Sequence, residues 1–365
     1  MHGRSKKSPR KKDQTDQLLD GSFDEDRSEH RQTFGDRDKN RQQRKTERTT
    51  RLRSTGAAAE DIENLPIGQV IQVHSLYYQV EPELGGKAAA AGNRLCVARK
   101  TLSKTSQTGI VVGDLVRFRD AITDEVKALA ELKALEQGQV LTDGQRQAVI
   151  EQVLPRRTVL TRADSFTGLG AQPIVANAEQ MLIVAAVAQP RPKWGLIDRM
   201  LVAAQAGGLA PIICLNKTDI EGTESAGPTL DYYESLGIKC LRTSVAAGVG
   251  LDRLAEALRD KTTVLAGHSG VGKSSLIGAI QPGLDLRVGE VSRMTDKGRH
   301  TTTSARRYRL DVGGYVIDTP GVKLFGLWGV SRKSLGEYFP DVQSGAAPEW
   351  RQKSYERIEQ SLREG

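Results

Sequence analysis

The chain has 365 residues, of which 38% are hydrophobic and 27% charged, a composition typical of a soluble globular protein with two or three domains. Its formal net charge is +8, and the absence of any run of about 18 apolar residues argues against a membrane span. Three widely separated cysteines, Cys96, Cys214 and Cys240, favour a reducing cytosol over a disulfide framework.

Residues 1–63 are polar and almost free of aromatic side chains. Residues 1–55 carry 16 Lys and Arg against 10 Asp and Glu, and the N-terminus lacks the apolar segment of a secretory signal. This composition predicts a disordered arm. Its positive charge is compatible with weak binding to nucleic-acid phosphates.

Residues 64–166 contain short β-rich runs separated by glycine-containing turns. Four or five such strands favour a small barrel such as the OB-fold, which commonly binds RNA. Segment 121–147 is rich in Ala, Leu, Glu and Lys, which predicts a helical or flexible insertion in a barrel loop.

The barrel carries many cations that are candidates for RNA contact, although each alone also fits a solvated sheet face. They are Arg94, Arg99, Lys100, Lys104, Arg117, Arg119, Arg156, Arg157 and Arg162. Aromatic side chains are sparse, namely Tyr77, Tyr78 and Phe118, so we expect recognition of RNA shape and backbone over base readout.

Residues 172–326 alternate apolar strands with amphipathic helices. The segments "IVANAEQMLIVAAVAQ" and "PIICLNKTD" indicate buried parallel strands, and "GLIDRMLVAAQAGG" and "LDRLAEALRD" indicate helices. This alternation predicts a doubly wound α/β domain. Residues 327–365 are expected to form a short helical tail.

A Gly-x4-Gly-Lys-Ser motif lies between a predicted strand and a predicted helix, which is the context of a phosphate-binding P-loop. The loop glycines allow backbone N–H groups to surround the β-phosphate, Lys273 reaches the β- and γ-phosphates, and Ser274 ligates Mg²⁺. A chance glycine-rich turn is the alternative, and the motif alone does not distinguish ATP from GTP. The candidate phosphate-binding residues are Gly267, His268, Ser269, Gly270, Val271, Gly272, Lys273, Ser274 and Ser275.

A second motif, Asn216-Lys217-Thr218-Asp219, follows the apolar run "IICL". A carboxylate at Asp219 can accept hydrogen bonds from N1–H and N2–H₂ of guanine, donors that adenine lacks there. Asn216 can brace the loop, and the Lys217 stem can lie over the purine. Alone this motif is also an ordinary strand-end turn. Thr243, Ser244 and Val245 are expected to form a second base-contacting loop.

The remaining nucleotide contacts follow the P-loop. In "GRHTTT", Gly298 to Thr303, we expect Thr302 to contact Mg²⁺ and the γ-phosphate, and in "DTPG" we expect Asp318 to hold Mg²⁺ through water. The N–H of Gly321 is placed to sense the γ-phosphate. Because the base-reading motif precedes the P-loop, the chain has the reversed order of a circularly permuted GTPase.

This order of motifs resembles the RsgA (YjeQ) family of circularly permuted GTPases, over about residues 65–340. The resemblance rests on "QPIVANAEQMLIV", "LNKTD", "GHSGVGKSSL", "GRHTTT" and "DTPGVKLFGLW". It implies an N-terminal OB-fold that contacts ribosomal RNA. It further implies slow GTP hydrolysis that the small ribosomal subunit stimulates, followed by release from the mature subunit.

The C-terminal tail departs from the family, which usually has three Cys and one His for zinc after "FP". Here "YFPDVQSGAAPEWRQKSYERIEQSL" contains neither residue type. Zinc prefers four N or S ligands in a tetrahedral array, and the three scattered cysteines do not supply one. We therefore predict no structural zinc.

Catalysis is expected to be slow because Val322 stands where many GTPases have a water-orienting Gln. The family pattern offers His300 as the residue that orients or deprotonates the attacking water. Lys273 and Thr302 are the other catalytic candidates, through their expected contacts with the phosphates and Mg²⁺. His268 is a rival, and an exposed loop histidine without a role is the alternative.

The sequence thus predicts a cytoplasmic, Mg²⁺-dependent enzyme that hydrolyses GTP to GDP and phosphate and binds the small ribosomal subunit and its rRNA. We expect a monomer without membrane or DNA partners. A non-ribosomal signalling switch with a protein effector is one alternative. A P-loop ATPase with an accidental Asn-Lys-x-Asp sequence is another.

Overall fold

The structure is a computed structural model that describes residues 59–74, 77–83, 92–99, 102, 109–120, 146–163, 171–220, 226–284, 286, 305–319, 327 and 329–362. Most of the predicted arm and insertion lie outside this set, as do His300, Thr302 and Gly321. The domain boundaries proposed from the sequence stay predictions.

Five strands form a closed barrel, as the alternating runs predicted. The strands are β1 (Ile67–Val73), β2 (Tyr78–Pro82), β3 (Arg94–Ala98), β4 (Leu115–Asp120) and β5 (Arg146–Val153), after a 3₁₀ helix at Ala59–Asn64. Their hydrogen-bonded order is β1-β2-β3-β5-β4, and β4 pairs again with β1. Closure leaves no free edge, and the inward side chains Val70, Val80, Cys96, Val116, Phe118 and Ile150 fill the interior.

A two-stranded antiparallel sheet of β6 (Val159–Ala163) and β7 (Ala171–Ala176) follows the barrel. The prediction that "IVANAEQMLIV" forms buried parallel strands is therefore wrong for its first part. The strand ends at Ala176, because the next residue, Asn177, has φ of 54°, and the Asn177 side chain donates to the Gly113 carbonyl at 3.0 Å. A positive φ is incompatible with a continuing strand.

The α/β domain contains a six-stranded portion of the main sheet in the order β10-β9-β8-β11-β13-β12. The strands are β8 (Gln180–Ala186), β9 (Ala210–Asn216), β10 (Lys239–Arg242), β11 (Thr262–Ala266), β12 (Arg306–Arg309) and β13 (Tyr315–Asp318). The helices are α1 (Trp194–Ala206), α2 (Ala226–Ser235), α3 (Leu251–Leu258) and α4 (Lys273–Ile280). Neighbouring strands are parallel except for β12.

Helices cover both faces of this sheet, which confirms the doubly wound prediction. All seven residues of β8 are buried, and because side chains alternate between faces, Met181 and Ile183 join one core while Leu182 and Val184 join the other. The first core contains residues of α1 and α2, and the second contains residues of α3 and α4. A strand covered on both faces is apolar throughout, as its sequence indicated.

The C-terminal tail is helical, as predicted. It contains a 3₁₀ helix (Leu335–Tyr338), α5 (Pro340–Gln343) and α6 (Glu349–Ser361). The α6 residue Arg351 fixes the tail on the α/β domain, because its guanidinium pairs with Asp198 of α1 and, at 2.9 Å, with Asp341 of α5. The side chains of both aspartates are almost fully buried, so this pairing compensates two carboxylates removed from water.

Candidate functional site

The P-loop joins β11 to α4 at the carboxyl edge of the sheet. Three of its glycines have left-handed φ values, namely Gly267 (133°), Gly270 (82°) and Gly272 (96°), which other residues adopt only with strain. Lys273, the first residue of α4, bends back over the loop and donates to the carbonyls of Gly267 at 2.9 Å and His268 at 3.0 Å. The loop thus has the tight turn that its glycine spacing predicted.

Asn216 connects the base-reading motif directly to the P-loop. It ends β9, is 2% exposed, and donates from Nδ2 to the Val271 carbonyl at 3.0 Å. Its Oδ1 accepts a hydrogen bond from Thr243 Oγ1 at 3.1 Å. The approach is so close that a Cβ at Gly272 would lie 2.4 Å from Asn216 Nδ2. Two segments far apart in sequence are therefore adjacent in space.

Lys217 makes a second connection between these segments. Its ammonium donates to the Gly270 carbonyl at 2.9 Å and to the Gln189 carbonyl at 2.5 Å. Sequence reasoning missed Gln189. The signal available was "AQPRP" directly after an apolar strand, because loops at the carboxyl ends of parallel strands line the ligand crevice of α/β sheets.

Asp219 is exposed and accepts a hydrogen bond from Ser244 Oγ at 2.5 Å. Thr218 donates from Oγ1 to the Thr243 carbonyl at 3.1 Å. The Ser244 hydroxyl in turn accepts from the Ala247 N–H at 3.0 Å. The two loops predicted to contact the base are thus joined by hydrogen bonds, with the Asp219 carboxylate at the surface.

Lys273 and Asp318 are partly buried groups of opposite charge that influence each other electrostatically. Burial lowers the pKa of Lys273, and the Asp318 carboxylate opposes that shift. Burial likewise raises the pKa of Asp318, and Lys273 opposes it. Asp318 ends β13 and is in register with Leu265 of β11, so its carboxylate belongs to the same sheet edge as Ser274. Hydroxyl and carboxylate oxygens at one edge fit the ligand preference of Mg²⁺.

The remaining candidate residues have varied environments. Val271 is buried, Ser269 is exposed, and His268 donates from Nδ1 to the Ser269 carbonyl at 2.9 Å. Val245 packs against the core that contains α3 and α4. Ser275 lies in the first turn of α4.

Several barrel cations proposed for RNA contact are held in ion pairs, and for the buried Arg94 this corrects the prediction. Arg94 is 1% exposed and pairs with Asp120 at 2.7 Å, and Arg156 pairs with the buried Asp114 at 2.7 Å. The other constrained cations are Arg99, which pairs with Glu151, Arg119, 3.9 Å from the same carboxylate, and Arg117, which donates to backbone carbonyls. The buried Arg94 needs its carboxylate partner and is not available to phosphates, whereas RNA contact by the partly exposed cations stays a prediction.

The remaining candidates for RNA contact differ in their exposure. Arg157 and Arg162 are exposed, whereas Lys100 and Lys104 lie outside the described residues. Tyr77 and Phe118 are buried core residues, at 4% and 0% exposure, so they cannot stack on bases. Tyr78 is half-buried.

No cluster of three or more His, Cys, Asp or Glu side chains suited to a metal ion exists within the described ranges. Cys96 and Cys214 are buried and Cys240 is half-buried. The absence of structural zinc stays a prediction. In the same part of the chain, no helix has the length and apolar character required to cross a membrane.

The family model for the RsgA GTPase matches residues 153–328. The chain is 35% identical over 279 residues to the small ribosomal subunit biogenesis GTPase RsgA of Haemophilus influenzae, covering 76% of this chain and 71% of that protein. It is 43% identical over 183 residues to RsgA 1 of Vibrio vulnificus, covering 49% of this chain. That match spans about half (51%) of the Vibrio protein's length.

Two solved structures have a similar fold. The crystal structure of YjeQ from Thermotoga maritima superposes with a TM-score of 0.58 at 28% identity, covering 81% of this chain and 98% of that one. The structure of YloQ, a circularly permuted GTPase, superposes with a TM-score of 0.55 at 23% identity, covering 84% and 98%. The YloQ match supports the fold alone.

Proposed function

The chain belongs to the RsgA GTPase family, and from this membership we propose that it hydrolyses GTP to GDP and phosphate while bound to the small ribosomal subunit. The observation that carries the proposal is the pair of connections between the base-reading turn and the P-loop, Asn216 to Val271 and Lys217 to Gly270. A single nucleotide can contact both loops only if they lie together.

Guanine is the base that this site favours. The Asp219 carboxylate is a hydrogen-bond acceptor at the surface, oriented by Ser244, and guanine presents two donors to such a group where adenine presents none. The aliphatic part of Lys217 is held over the loop by its two carbonyl partners, where it can cover the purine face.

Mg²⁺ would be held by Ser274 and, through water, by Asp318, with Thr302 completing the set. The ion would supply charge neutralisation on the β- and γ-phosphates. Lys273 would leave its loop carbonyls to bind the phosphates, because a charged oxygen is a stronger partner than a neutral carbonyl. The loop N–H groups and the N-terminus of α4 then hold the phosphate chain.

The attacking water requires a group other than Val322, and we propose His300 for that role. Replacement of His300 by Ala is expected to slow subunit-stimulated turnover by about 10²- to 10⁴-fold, the usual contribution of a general base, with little change in GTP affinity. Equal losses of turnover and affinity would contradict the role. His268→Ala is the comparison, because that imidazole is occupied by the Ser269 carbonyl.

The partner is proposed to be the small ribosomal subunit and its rRNA, and the protein a cytoplasmic monomer without membrane or DNA partners. Support comes from the names of the relatives and from the closed five-stranded barrel, a fold that commonly binds RNA. The basic arm of residues 1–63 adds a charge-based contact. Zinc is not expected to contribute to the tail, since Arg351 already joins it to the α/β domain through the buried carboxylate of Asp198.

The test measures phosphate release from GTP and from ATP, each with small subunits, with large subunits and without either. We expect slow GTP turnover that small subunits alone accelerate. Absence of acceleration by small subunits would favour the non-ribosomal switch. Equal acceleration by large subunits would contradict the small-subunit assignment, and a preference for ATP would exclude the proposed base recognition.

A further inference from the structure

Strand β12 connects the nucleotide site to the barrel within one sheet. Its first residue, Arg306, is in register with Asp318 of β13 on one side and with Gln72 of β1 on the other. The main sheet therefore continues from the α/β domain into the barrel. Only one strand separates the barrel from the carboxylate proposed to hold Mg²⁺.

The next residue, Arg307, links the same two parts through its side chain. Its Cζ lies 3.2 Å from the centre of the Tyr315 ring on β13, and its Nη1 donates to Glu81 of barrel strand β2 at 2.8 Å. The Arg307 side chain is 6% exposed, and its Nε has no hydrogen-bond partner among the residues that the structure describes. Glu81 is thus the carboxylate that compensates a buried guanidinium.

This ion pair constrains the position of β12 relative to the barrel. Separating Arg307 from Glu81 would leave a buried charge without its partner, which is strongly unfavourable. A displacement of β12 must therefore either move the barrel with it or break the pair. Packed interfaces of this kind respond in discrete steps and not by gradual deformation.

The barrel has a second attachment that is independent of the nucleotide strands. The Ala176 N–H donates to the Val112 carbonyl at 2.9 Å, and Asn177 Nδ2 donates to the Gly113 carbonyl at 3.0 Å. A Cβ at Gly113 would lie 1.8 Å from the Ala176 oxygen, so this contact has no room to slide. It can serve as a fixed point about which the barrel turns.

We propose that β12 transmits the nucleotide state to the RNA-binding barrel, with the Arg307–Glu81 pair as the link. The inference rests on the proposed function and concerns its regulation. With nucleotide and Mg²⁺ bound, Asp318 would be held in place at the end of β13, and the pairing of β13 with β12 would pass this constraint to the barrel through Gln72 and Glu81. Because coupling between two sites is reciprocal, subunit binding to the barrel changes GTP affinity by the same factor.

The test compares subunit affinity in two nucleotide states. Binding of purified small subunits is measured with a non-hydrolysable GTP analogue and with GDP, and the ratio of the two dissociation constants is the coupling. In the wild-type protein we expect a ratio in the usual range of allosteric coupling, about 5- to 150-fold.

The decisive variant is the double substitution Glu81→Gln with Arg307→Met. It removes both charges together, which is tolerated better than removing one partner, and it should bring the ratio to within about twofold of one, well below typical coupling. Nucleotide affinity without subunits should not change. Glu234→Gln is the matched control, because it removes an ion pair with Arg242, 2.9 Å long, on β10 at the opposite edge of the α/β sheet from β12, and it should keep the wild-type ratio.

Arg307→Met alone is the second variant, used if the double variant melts early, since it removes the link and leaves only the Glu81 carboxylate, whose side chain is 33% exposed and can be hydrated. If the folded variant shows the same ratio of dissociation constants as the wild-type protein, the proposed coupling is overturned while the proposed function stays intact. A ratio of one in the wild-type protein itself would have the same consequence. Failure of the wild-type protein to bind either GTP or the small subunit would overturn the proposed function itself.

Discussion

A single methyl group at Gly272 tests whether the base-reading turn and the P-loop operate as one site. Gly272 has φ of 96°, and an alanine Cβ there would lie 2.4 Å from Asn216 Nδ2. The substitution Gly272→Ala must therefore strain the backbone and displace Asn216 from the Val271 carbonyl, which it contacts at 3.0 Å.

The expected loss follows from these two effects. A non-glycine residue in the left-handed region costs about 1–2 kcal/mol, and a lost buried hydrogen bond costs about 0.5–1.5 kcal/mol. Their sum, about 1.5–3.5 kcal/mol, corresponds to about a 10- to 400-fold change in an equilibrium constant. If the nucleotide-free variant keeps the strained loop, this free energy lowers the stability of the fold. If the loop relaxes in the nucleotide-free variant, the same free energy lowers the affinity for nucleotide.

The assay pairs a fluorescent GDP analogue in equilibrium titration with thermal melting of the nucleotide-free protein. Gly278→Ala is the matched control, because it adds the same methyl group in α4 with no heavy atom within 4 Å. That change should leave affinity intact and stabilise the helix by about 0.5–1 kcal/mol. If Gly272→Ala changes affinity and stability no more than Gly278→Ala does, the closure of the two loops is not required for binding.

Three further substitutions test other parts of the account. Asp219→Asn should shift the purine preference from guanine toward xanthine in competition binding, and an unchanged guanine preference would contradict the assigned base contact. Lys217→Met should accelerate nucleotide dissociation in stopped-flow measurements. The substitution removes two hydrogen bonds of a charged group, worth about 1.5–3 kcal/mol each before solvent screening. An unchanged dissociation rate would exclude the proposed role of Lys217 in holding the two loops together. Arg351→Met should lower the unfolding free energy by about 3–5 kcal/mol, because Asp198 and Asp341 are left buried and unpaired. Burial already raises the pKa of Asp198, and Arg351 opposes that shift. A carboxyl whose folded pKa exceeds its unfolded value loses stability as pH rises, so the variant's melting temperature should fall more steeply than the wild type's above about pH 4; parallel pH profiles would refute this.

Local chemistry was sufficient to predict most of the architecture. Continuous apolar runs indicated strands covered on both faces, and β8 is buried along its whole length. The glycine spacing of the P-loop required left-handed turns, and Gly267, Gly270 and Gly272 have them. These features are properties of short segments, which is why a sequence records them.

The ion-pair and hydrogen-bond partners of several side chains depend on which residues, distant in sequence, the fold brings together. The sequence counted Arg94 and Arg156 as cations available to RNA, whereas folding pairs them with Asp120 and Asp114. It identified Lys217 by its motif and did not indicate that the Gln189 carbonyl would accept a hydrogen bond from the Lys217 ammonium.

The sequence by itself determined the residue types of the loops proposed to bind phosphate and to read the base, because each of these tasks demands particular backbone freedom or particular donors and acceptors. Only the tertiary structure decided that Asn216 lies against Val271, and that β12 pairs with the barrel strand β1. The physical reason is that periodicity and turn chemistry act over a few residues, whereas buried polar groups are satisfied by whichever partner the closed fold provides.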